Sequence, residues 1–420
     1  MTTGQKVVLT LLAVSLLAGL ATGGRLYYRL SVFWSLLFFG SWLWSLFSLR
    51  SILFKRSART IRAQVGQIFE ERFEVQNQNR FPRLWLEIRD QTTLPGSDGS
   101  RVLTMVMGRQ SRSYLARVRL VKRGVFPLGP TTLATGDLFG LFPVEQEIAE
   151  QDSLLVYPMM VEIKGFPNPP GLLPGGEALR RRTHQVTTNA AGVRDYNTGD
   201  PLNRIHWLST ARRGRLIVKE FELDPLADVW IFLDGASNVQ ASIQQAPADY
   251  YAKDFWTRSS RYPLPPSTEE YGITIAASVV RDYLRRGRAV GLACAGQHLT
   301  LISPDRGGRQ LGKILEALAL IQTKGDLPLH ALIETQVKHM VRGSTVVLIT
   351  PSTFREEALV VDFLMQRGLK PIVVLLDAAS FGGAPGTDQL AESIKLLGIP
   401  YRIVKKDMEI SAALSDGYSR

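Results

Sequence analysis

The sequence predicts a multi-domain protein with an N-terminal transmembrane helical hairpin, an antiparallel β-sandwich and an α/β domain whose sheet is mostly parallel. Three features predict this: two apolar segments near the N-terminus, a stretch of period-two alternation, and a C-terminal part in which apolar runs alternate with amphipathic segments. A chain of 420 residues is also too long for one ordinary domain. We expect a membrane anchor at 1–59, a sandwich at 60–163, a linker with a distinctive motif at 164–227, and the α/β domain at 228–420.

The two apolar segments predict helices that cross a membrane and return. Residues 30–49 are uncharged, and as a helix they span about 30 Å, which matches a bilayer core. Residues 7–22 are also uncharged but span only about 24 Å, so a cleaved signal peptide is the alternative for this segment. The helices are expected at about 7–22 and 30–49.

Basic residues directly after the hairpin predict its orientation. By the positive-inside rule they lie in the cytoplasm together with the rest of the chain. The short connection between the two segments carries Arg25 and Arg29, which weaken this asymmetry. The residues that favour the cytoplasmic side are Arg50, Lys55, Arg56, Arg59 and Arg62.

Alternating apolar and polar residues predict strands between the hairpin and the linker. Residues 84–88, 101–106 and 114–120 alternate in this way, and short turn sequences separate them without helical stretches, as in an antiparallel sandwich. Residues 165–176 then concentrate proline and glycine, which predicts a linker.

Four continuous apolar runs predict the buried strands of the α/β domain, at 228–234, 288–295, 344–350 and 370–376. A capping box at Ser267 predicts the start of a helix that ends before Gly287. Further helices are expected around residues 311–321 and 354–368. Ligands of such sheets bind beyond the carboxyl ends of the strands. This rule marks three polar residues for attention, namely Asp234, Thr350 and Asp377.

Composition narrows the classes of function. The single cysteine, Cys294, excludes an internal disulfide framework and a cysteine-based zinc cluster. The formal net charge is +12, and half of this surplus lies in residues 177–219, which hold nine Lys or Arg and three acidic residues. Such a segment favours contact with acidic proteins, anionic lipid or nucleic acid, or is a solvated surface.

The same region contains the most distinctive motif of the chain. Its pattern is R-x-Y-x-x-G-D, then R-I-H-W-x-x-x-A-R, then L-x-V-K-E. The motif residues are Arg194, Tyr196, Gly199, Asp200, Arg204, His206, Trp207, Ala211, Arg212, Lys219 and Glu220. This pattern resembles the signature of the bacterial family called domain of unknown function 58. Residues 123–130, 137–142 and 156–158 are also similar to that family.

The resemblance implies a protein of the bacterial plasma membrane with a von Willebrand factor A-like domain. It also implies partnership with an AAA+ ATPase of the MoxR type and with other envelope-associated proteins, but no particular reaction. We therefore expect a membrane-tethered, non-enzymatic adaptor that binds proteins at the cytoplasmic face and has no nucleic-acid partner.

The motif residues admit two interpretations. In the first, exposed arginines bind acidic groups of a partner, and Tyr196 and Trp207 act as anchors. In the second, Arg194, Asp200, Arg204 and His206 pair with one another and fix the segment. We expect Trp207 to be buried and structural. The candidate partner-binding residues are Arg180, Arg181, Arg182, Arg212 and Arg213, together with Tyr251 and Trp256 of the long insertion at 238–266, which is alternatively a lid.

Metal and catalytic chemistry are not expected. The Mg²⁺ site of von Willebrand A domains needs D-x-S-x-S and further oxygen ligands, but here Asp234 is followed by Gly-Ala-Ser-Asn, Leu327 stands where a Thr is needed, and Pro351 replaces an Asp. The site is degenerate, so we expect no metal and no cofactor. Motifs of nucleotide-binding proteins and hydrolases are absent from the sequence. Two alternatives stay open: an anionic-ligand binder that uses 177–219, and a hydrolase that uses His206 with Ser209 and nearby acidic residues.

Overall fold

A computed structural model describes residues 1–149, 152–167, 190–197, 205–221, 228–243 and 264–415, with the backbone alone for 190–194 and 219–221. The chain divides into two compact units. The first, here called the β-rich unit, consists mainly of residues 1–159. The second, the α/β unit, consists mainly of residues 160–420.

The β-rich unit begins with two apolar helices, as predicted. They are α1 (Thr3–Thr22) and α2 (Arg25–Ser48), and each is long and apolar enough to cross a membrane. A left-handed Gly23 at φ 63° ends α1, and the Ser15 and Ser31 hydroxyls lie 3.1 Å apart between the helices. The second helix begins earlier than expected, so it includes Arg25 and Arg29 in its first turns.

Ten strands follow and form three sheets. The strand orders are β1-β3-β6, β2-β10-β7 and β5-β4-β8-β9. All pairs are antiparallel except β2 with β10, which corrects the purely antiparallel prediction. The strands are β1 (Ile52–Ala58), β2 (Arg62–Gln64), β3 (Ile68–Asn77), β4 (Arg83–Asp90), β5 (Arg101–Val106), β6 (Ser111–Arg119), β7 (Gly124–Leu128), β8 (Thr131–Thr135), β9 (Val144–Ile148) and β10 (Asp152–Tyr157).

Strand β1 lies within the range expected for the anchor, and this changes the meaning of the basic residues there. Its residues alternate between half-buried and exposed positions, as in a strand with one covered face. Arg56, expected as a membrane-flanking charge, instead donates to Glu71 at 2.8 Å and to Asp90 at 2.9 Å. The β structure therefore begins immediately after α2, and Arg56 belongs to its interior.

The α/β unit contains a six-stranded mixed sheet in the order β15-β14-β13-β16-β17-β18. Strand β15 is antiparallel to β14, and the other pairs are parallel. Apolar strands with helices between them bury a continuous core that includes Phe232, Leu348 and Leu375. The elements are β11 (Ala190–Asp195), α3 (Trp207–Arg213), β12 (Ile217–Phe221), β13 (Val229–Leu233), α4 (Thr268–Arg285), β14 (Val290–Ala295), β15 (Leu299–Asp305), α5 (Gly307–Leu320), α6 (Leu329–Gln336), β16 (Thr345–Thr350), α7 (Glu356–Gln366), β17 (Lys370–Leu376), α8 (Thr387–Leu396), β18 (Tyr401–Val404) and α9 (Ile410–Leu414).

Three details of this unit differ from the sequence prediction. Strands β15 and β18 were not expected, because both are edge strands with alternating burial and weak apolar signals. Ser267 precedes α4 but makes no side-chain cap. The expected linker begins inside the fold, since Phe166 is buried and packs edge-on against Tyr283 at 5.9 Å.

Candidate functional site

Buried polar side chains converge at the carboxyl edge of the α/β sheet. Asp234 follows β13 and is almost fully buried. Its Oδ2 accepts a hydrogen bond from the hydroxyl of Thr350, the last residue of β16, at 2.6 Å, and its Oδ1 accepts from the backbone N–H of Ala236 at 3.1 Å. The structure thus joins two of the strand-end residues that the sequence marked.

The backbone around Asp234 is packed closely against two neighbouring segments. The N–H of Gly325 donates to the Gly235 carbonyl at 2.9 Å, and the N–H of Ser237 donates to the Gly325 carbonyl at 2.8 Å. A Cβ atom at Gly235 or Gly325 would collide with the carbonyl oxygen of Ala295. Both positions therefore require glycine, which the sequence pattern did not single out.

Glu357 and His330 complete this group, here called the edge cluster: Asp234, Thr350, His330 and Glu357. Glu357 lies at the start of α7 and is 4% exposed. Its Oε1 is 3.7 Å from His330 Nδ1, which is too long for a hydrogen bond. The Glu357 Oε2 and His330 Nδ1 atoms are buried and have no hydrogen-bond partner among the described residues.

The electrostatics of the edge cluster raise the pKa of both of its carboxyl groups. Burial, together with the nearby charges of Asp234 and Glu356, raises the pKa of Glu357 to about 8. Burial also raises the pKa of Asp234, against the opposing hydrogen bonds from Thr350 and Ala236. With a pKa of about 8, Glu357 holds a proton near neutral pH, so the cluster is suited to proton binding or release.

The sequence analysis missed both Glu357 and His330. The available signal was helical periodicity, because Glu357 lies three, four and seven positions before the buried Val360, Val361 and Leu364 of α7. A carboxylate on the apolar face of a helix is unusual enough to be noticed. His330 gave no comparable signal.

The sequence predicts that no metal ion binds at this edge of the sheet, and this stays a prediction. Within the described ranges, no group of three or more His, Cys, Asp or Glu side chains is placed to hold a metal ion. Leu327 is partly exposed and Asp326 is exposed. Cys294, expected as a core residue, is fully buried in β14, and burial raises its pKa to about 12.

The motif segment forms a second candidate site around α3. His206 caps this helix: its Nδ1 accepts from the backbone N–H of Ser209 and lies 2.7 Å from the Ser209 hydroxyl. A Ser–His contact of this length also occurs in nucleophile–base pairs. Here Asp195 lies 3.1 Å from Arg215 instead of orienting the imidazole, so helix capping accounts for the arrangement.

Trp207 was expected to be buried, and the structure contradicts this. Ile205 is buried because it bridges to Val218 of β12, but the chain then turns into α3, in which no residue is buried. Trp207 and Leu208 are 67% and 62% exposed. Helix α3 therefore presents two large apolar side chains to solvent at its first turn, and its last turn carries Arg212 and Arg213.

The other predicted residues divide into two groups. Ala211, Arg212 and Arg213 are exposed on α3, and the half-buried Tyr196 donates its backbone N–H to Leu216 beyond β11. Arg194, Lys219 and Glu220 lie in the paired strands β11 and β12. Outside the described residues lie Arg180, Arg181, Arg182, Gly199, Asp200, Arg204, Tyr251 and Trp256.

Comparisons with known proteins agree with the motif. The family described as "Protein of unknown function DUF58" matches residues 192–252. The uncharacterised protein YeaD of Bacillus subtilis (strain 168) is 23% identical over 315 residues, covering 73% of this chain and 72% of its own. The chain is thus similar to DUF58 proteins in its motif segment, and to YeaD over most of its length.

Comparison with solved structures gives only weak similarity. A GH20 exo β-N-acetylglucosaminidase from Vibrio harveyi has 8% identity and a TM-score of 0.17, over 78% of this chain and 57% of that one. A Paenibacillus sp. cycloisomaltooligosaccharide glucanotransferase has 9% identity and a TM-score of 0.16, over 77% of this chain and 45% of that one. The chain spans about half the length of these two proteins, and neither likeness bears on its fold.

Proposed function

We propose that this protein is a membrane-tethered, non-enzymatic adaptor that binds another protein through α3. The observation that carries the proposal is the combination on one short helix of exposed Trp207 and Leu208 with Arg212 and Arg213. Tryptophan and arginine are the side chains most enriched at the centres of protein interfaces. Large apolar side chains grouped on a surface also favour interaction over solvation.

The proposed partner is an AAA+ ATPase of the MoxR type, as the family resemblance implies. Arginines at the end of α3 would pair with acidic side chains of that partner, and the indole of Trp207 would fill an apolar pocket. The proposal includes two membrane-spanning helices, α1 and α2, in a bacterial plasma membrane, with the rest of the chain in the cytoplasm. It also includes a β-sandwich after the hairpin and a von Willebrand factor A-like fold for the α/β unit.

The test is capture of partners from native membranes by the tagged full-length chain. Wild type should co-purify with an AAA+ ATPase, and Arg212→Glu with Arg213→Glu should lose it. The matched control is Arg309→Glu with Lys338→Glu, which reverses two exposed charges elsewhere in the α/β unit and should retain the partner. Neither double variant should change stability by more than about 0.5 kcal/mol, because all four side chains are exposed.

Trp207→Ala extends the test to the apolar part of the surface. Because the indole is exposed, the substitution should leave the protein folded and should weaken capture by about 2 kcal/mol or more, as for an interface anchor. Retention of the ATPase by both the Trp207 and the arginine variants would refute the proposed surface. Capture of nucleic acid or anionic lipid instead, with a steep loss as salt rises, would favour the anionic-ligand alternative.

A further inference from the structure

A short turn of the β-rich unit joins strands β8 and β9 beside the two apolar helices. This turn, residues 137–142 and here called the apolar turn, has the sequence Asp-Leu-Phe-Gly-Leu-Phe. Leu138 and Phe139 are 68% and 64% exposed. Two such side chains next to each other at the tip of a turn are costly to expose to water, and their burial in an apolar environment would be favourable.

Two contacts fix where the apolar turn lies along the helices. The Phe142 ring packs edge-on against Phe38 of α2, with 5.1 Å between the ring centroids. The Leu141 carbonyl accepts a hydrogen bond from the hydroxyl of Thr2, the N-cap of α1, at 3.0 Å. The turn therefore lies alongside the C-terminal half of α2 and the N-terminus of α1.

The depth of this contact follows from helix geometry. Phe38 lies ten residues before Ser48, the end of α2, which corresponds to about 15 Å along the helix axis. Trp42 and Trp44 lie between them, and tryptophans of membrane helices concentrate at the level of the lipid headgroups. Phe142 thus contacts α2 about 6 to 9 Å inward of that level.

The backbone of the apolar turn is prepared for an apolar environment. The buried carboxylate of Asp137 accepts from the N–H of Phe139 at 3.0 Å and from the N–H of Phe142 at 2.7 Å. Two polar groups that would be costly to place in hydrocarbon are thereby satisfied within the turn. The apolar side chains therefore project from a turn in which these two backbone N–H groups are already hydrogen-bonded.

Two further loops at the same end of the unit are amphipathic. They are tied to the residues just after α2, because Gln78 donates its N–H to the Ser51 carbonyl at 2.9 Å and Asn77 donates to both Phe81 and Met107. Phe81 and Met107 are 64% and 53% exposed. The exposed arginines beside them are Arg80 and Arg109, which suit anionic headgroups.

We propose that the apolar turn inserts Leu138 and Phe139 into the acyl-chain region of the bilayer that holds α1 and α2. The occupant is lipid, since the turn is continuous with the apolar surface of α2, and the adjacent loops carry the aromatic, methionine and arginine residues of an interfacial collar. This inference rests on the part of the proposed function in which the hairpin spans a membrane. It fixes the β-rich unit against the membrane surface, so the anchor is not a flexible tether for that unit.

The test measures the depth of a fluorophore at Phe139. The full-length Phe139→Cys variant is labelled with a small environment-sensitive fluorophore and reconstituted in vesicles of phosphatidylcholine and phosphatidylglycerol. Cys294 is fully buried, so wild type serves as the control for labelling. Leu115→Cys, at an exposed apolar position of β6, is the aqueous reference, and Phe39→Cys, exposed on α2, is the reference for spanning.

The label at 139 should be quenched by lipid that carries a nitroxide on its acyl chain, as the label at 39 is. Iodide in the buffer should quench it several-fold less than the label at 115. If iodide quenches the label at 139 as strongly as the label at 115, while lipid still quenches the label at 39, the insertion is wrong but the hairpin still spans the membrane. Protection from both quenchers would show that protein covers the turn. Loss of lipid quenching at both 39 and 139 would refute the membrane-spanning part of the proposed function as well.

Discussion

The two units of the molecule each bury charged side chains, but they treat them differently. In the β-rich unit, Arg56 lies between Glu71 and Asp90, and its guanidinium donates to both carboxylates at 2.8 to 2.9 Å. In the edge cluster of the α/β unit, the described part of the chain offers no hydrogen-bond partner to Glu357 Oε2, and His330 Nδ1 is 3.7 Å from Oε1. The carboxyl groups of both sites are buried.

The difference shows how geometry separates a structural charge from a titratable one. A buried charge is tolerated when several hydrogen bonds replace its hydration, as at Arg56. A buried carboxyl group without such bonds lowers its cost by taking up a proton, which is why the pKa of Glu357 is raised to about 8. We therefore interpret the Arg56 site as scaffold, and the edge cluster as the place where protonation can change the state of the molecule.

The largest expected effect comes from removing the arginine of the paired site. Arg56→Met should destabilise the protein by about 3 to 5 kcal/mol, because it leaves two buried carboxylates without their cation. Urea unfolding of the full-length protein in detergent measures the change. Arg59→Met is the control, since Arg59 is 82% exposed and 3.9 Å from Glu70, and it should cost under about 1 kcal/mol. Equal effects of the two variants would remove the distinction between a buried network and a surface ion pair.

The second prediction concerns Glu357 of the edge cluster, where a substitution should stabilise the protein and not destabilise it. Since the folded-state pKa of Glu357 lies above its ordinary value, the folded state binds the extra proton, and stability falls as pH rises between about 4.5 and 8. The contribution of Glu357 to this loss is about 2 to 3 kcal/mol between pH 5 and pH 7. Glu357→Gln should remove that part of the slope and stabilise the protein at pH 8, as unfolding curves at several pH values will show.

A matched variant separates this effect from general changes of surface charge. Glu356→Gln removes the same charge from the adjacent, exposed position. This variant should keep most of the fall in stability between pH 5 and pH 7. A wild-type protein whose stability is flat over this range, or a Glu357→Gln variant with an undiminished slope, would show that Glu357 is charged and paired.

The smallest expected effect tests whether a cation is the missing partner of the edge cluster. Millimolar Mg²⁺ or Mn²⁺ should leave the thermal midpoint unchanged, because a ligand that binds only the folded state must stabilise it by mass action. The Thr350 hydroxyl already donates to Asp234, which uses one of the oxygens that a metal would need. A rise in midpoint that Asp234→Ala abolishes would contradict this and make the cluster a metal site.

The sequence by itself determined the classes of structure in this protein and their order along the chain. Long apolar runs, period-two alternation and continuous apolar strands each depend on local residue patterns, so α1, α2, several strands of the β-rich unit and the parallel core of the α/β unit were predictable. The rule for parallel sheets also marked Asp234 and Thr350, because the carboxyl ends of adjacent strands meet at one edge.

Only the tertiary structure decided what individual polar and aromatic residues do. Arg56 appeared to be a membrane-flanking charge until β1 paired with β3 and brought Glu71 beside it. Trp207 appeared to be a core residue until the turn into α3 directed it outward. Glu357 and His330 lie 27 positions apart in the sequence, and only their two packed helices bring the side chains together. Burial and pairing depend on contacts between residues distant in sequence, which local patterns do not record.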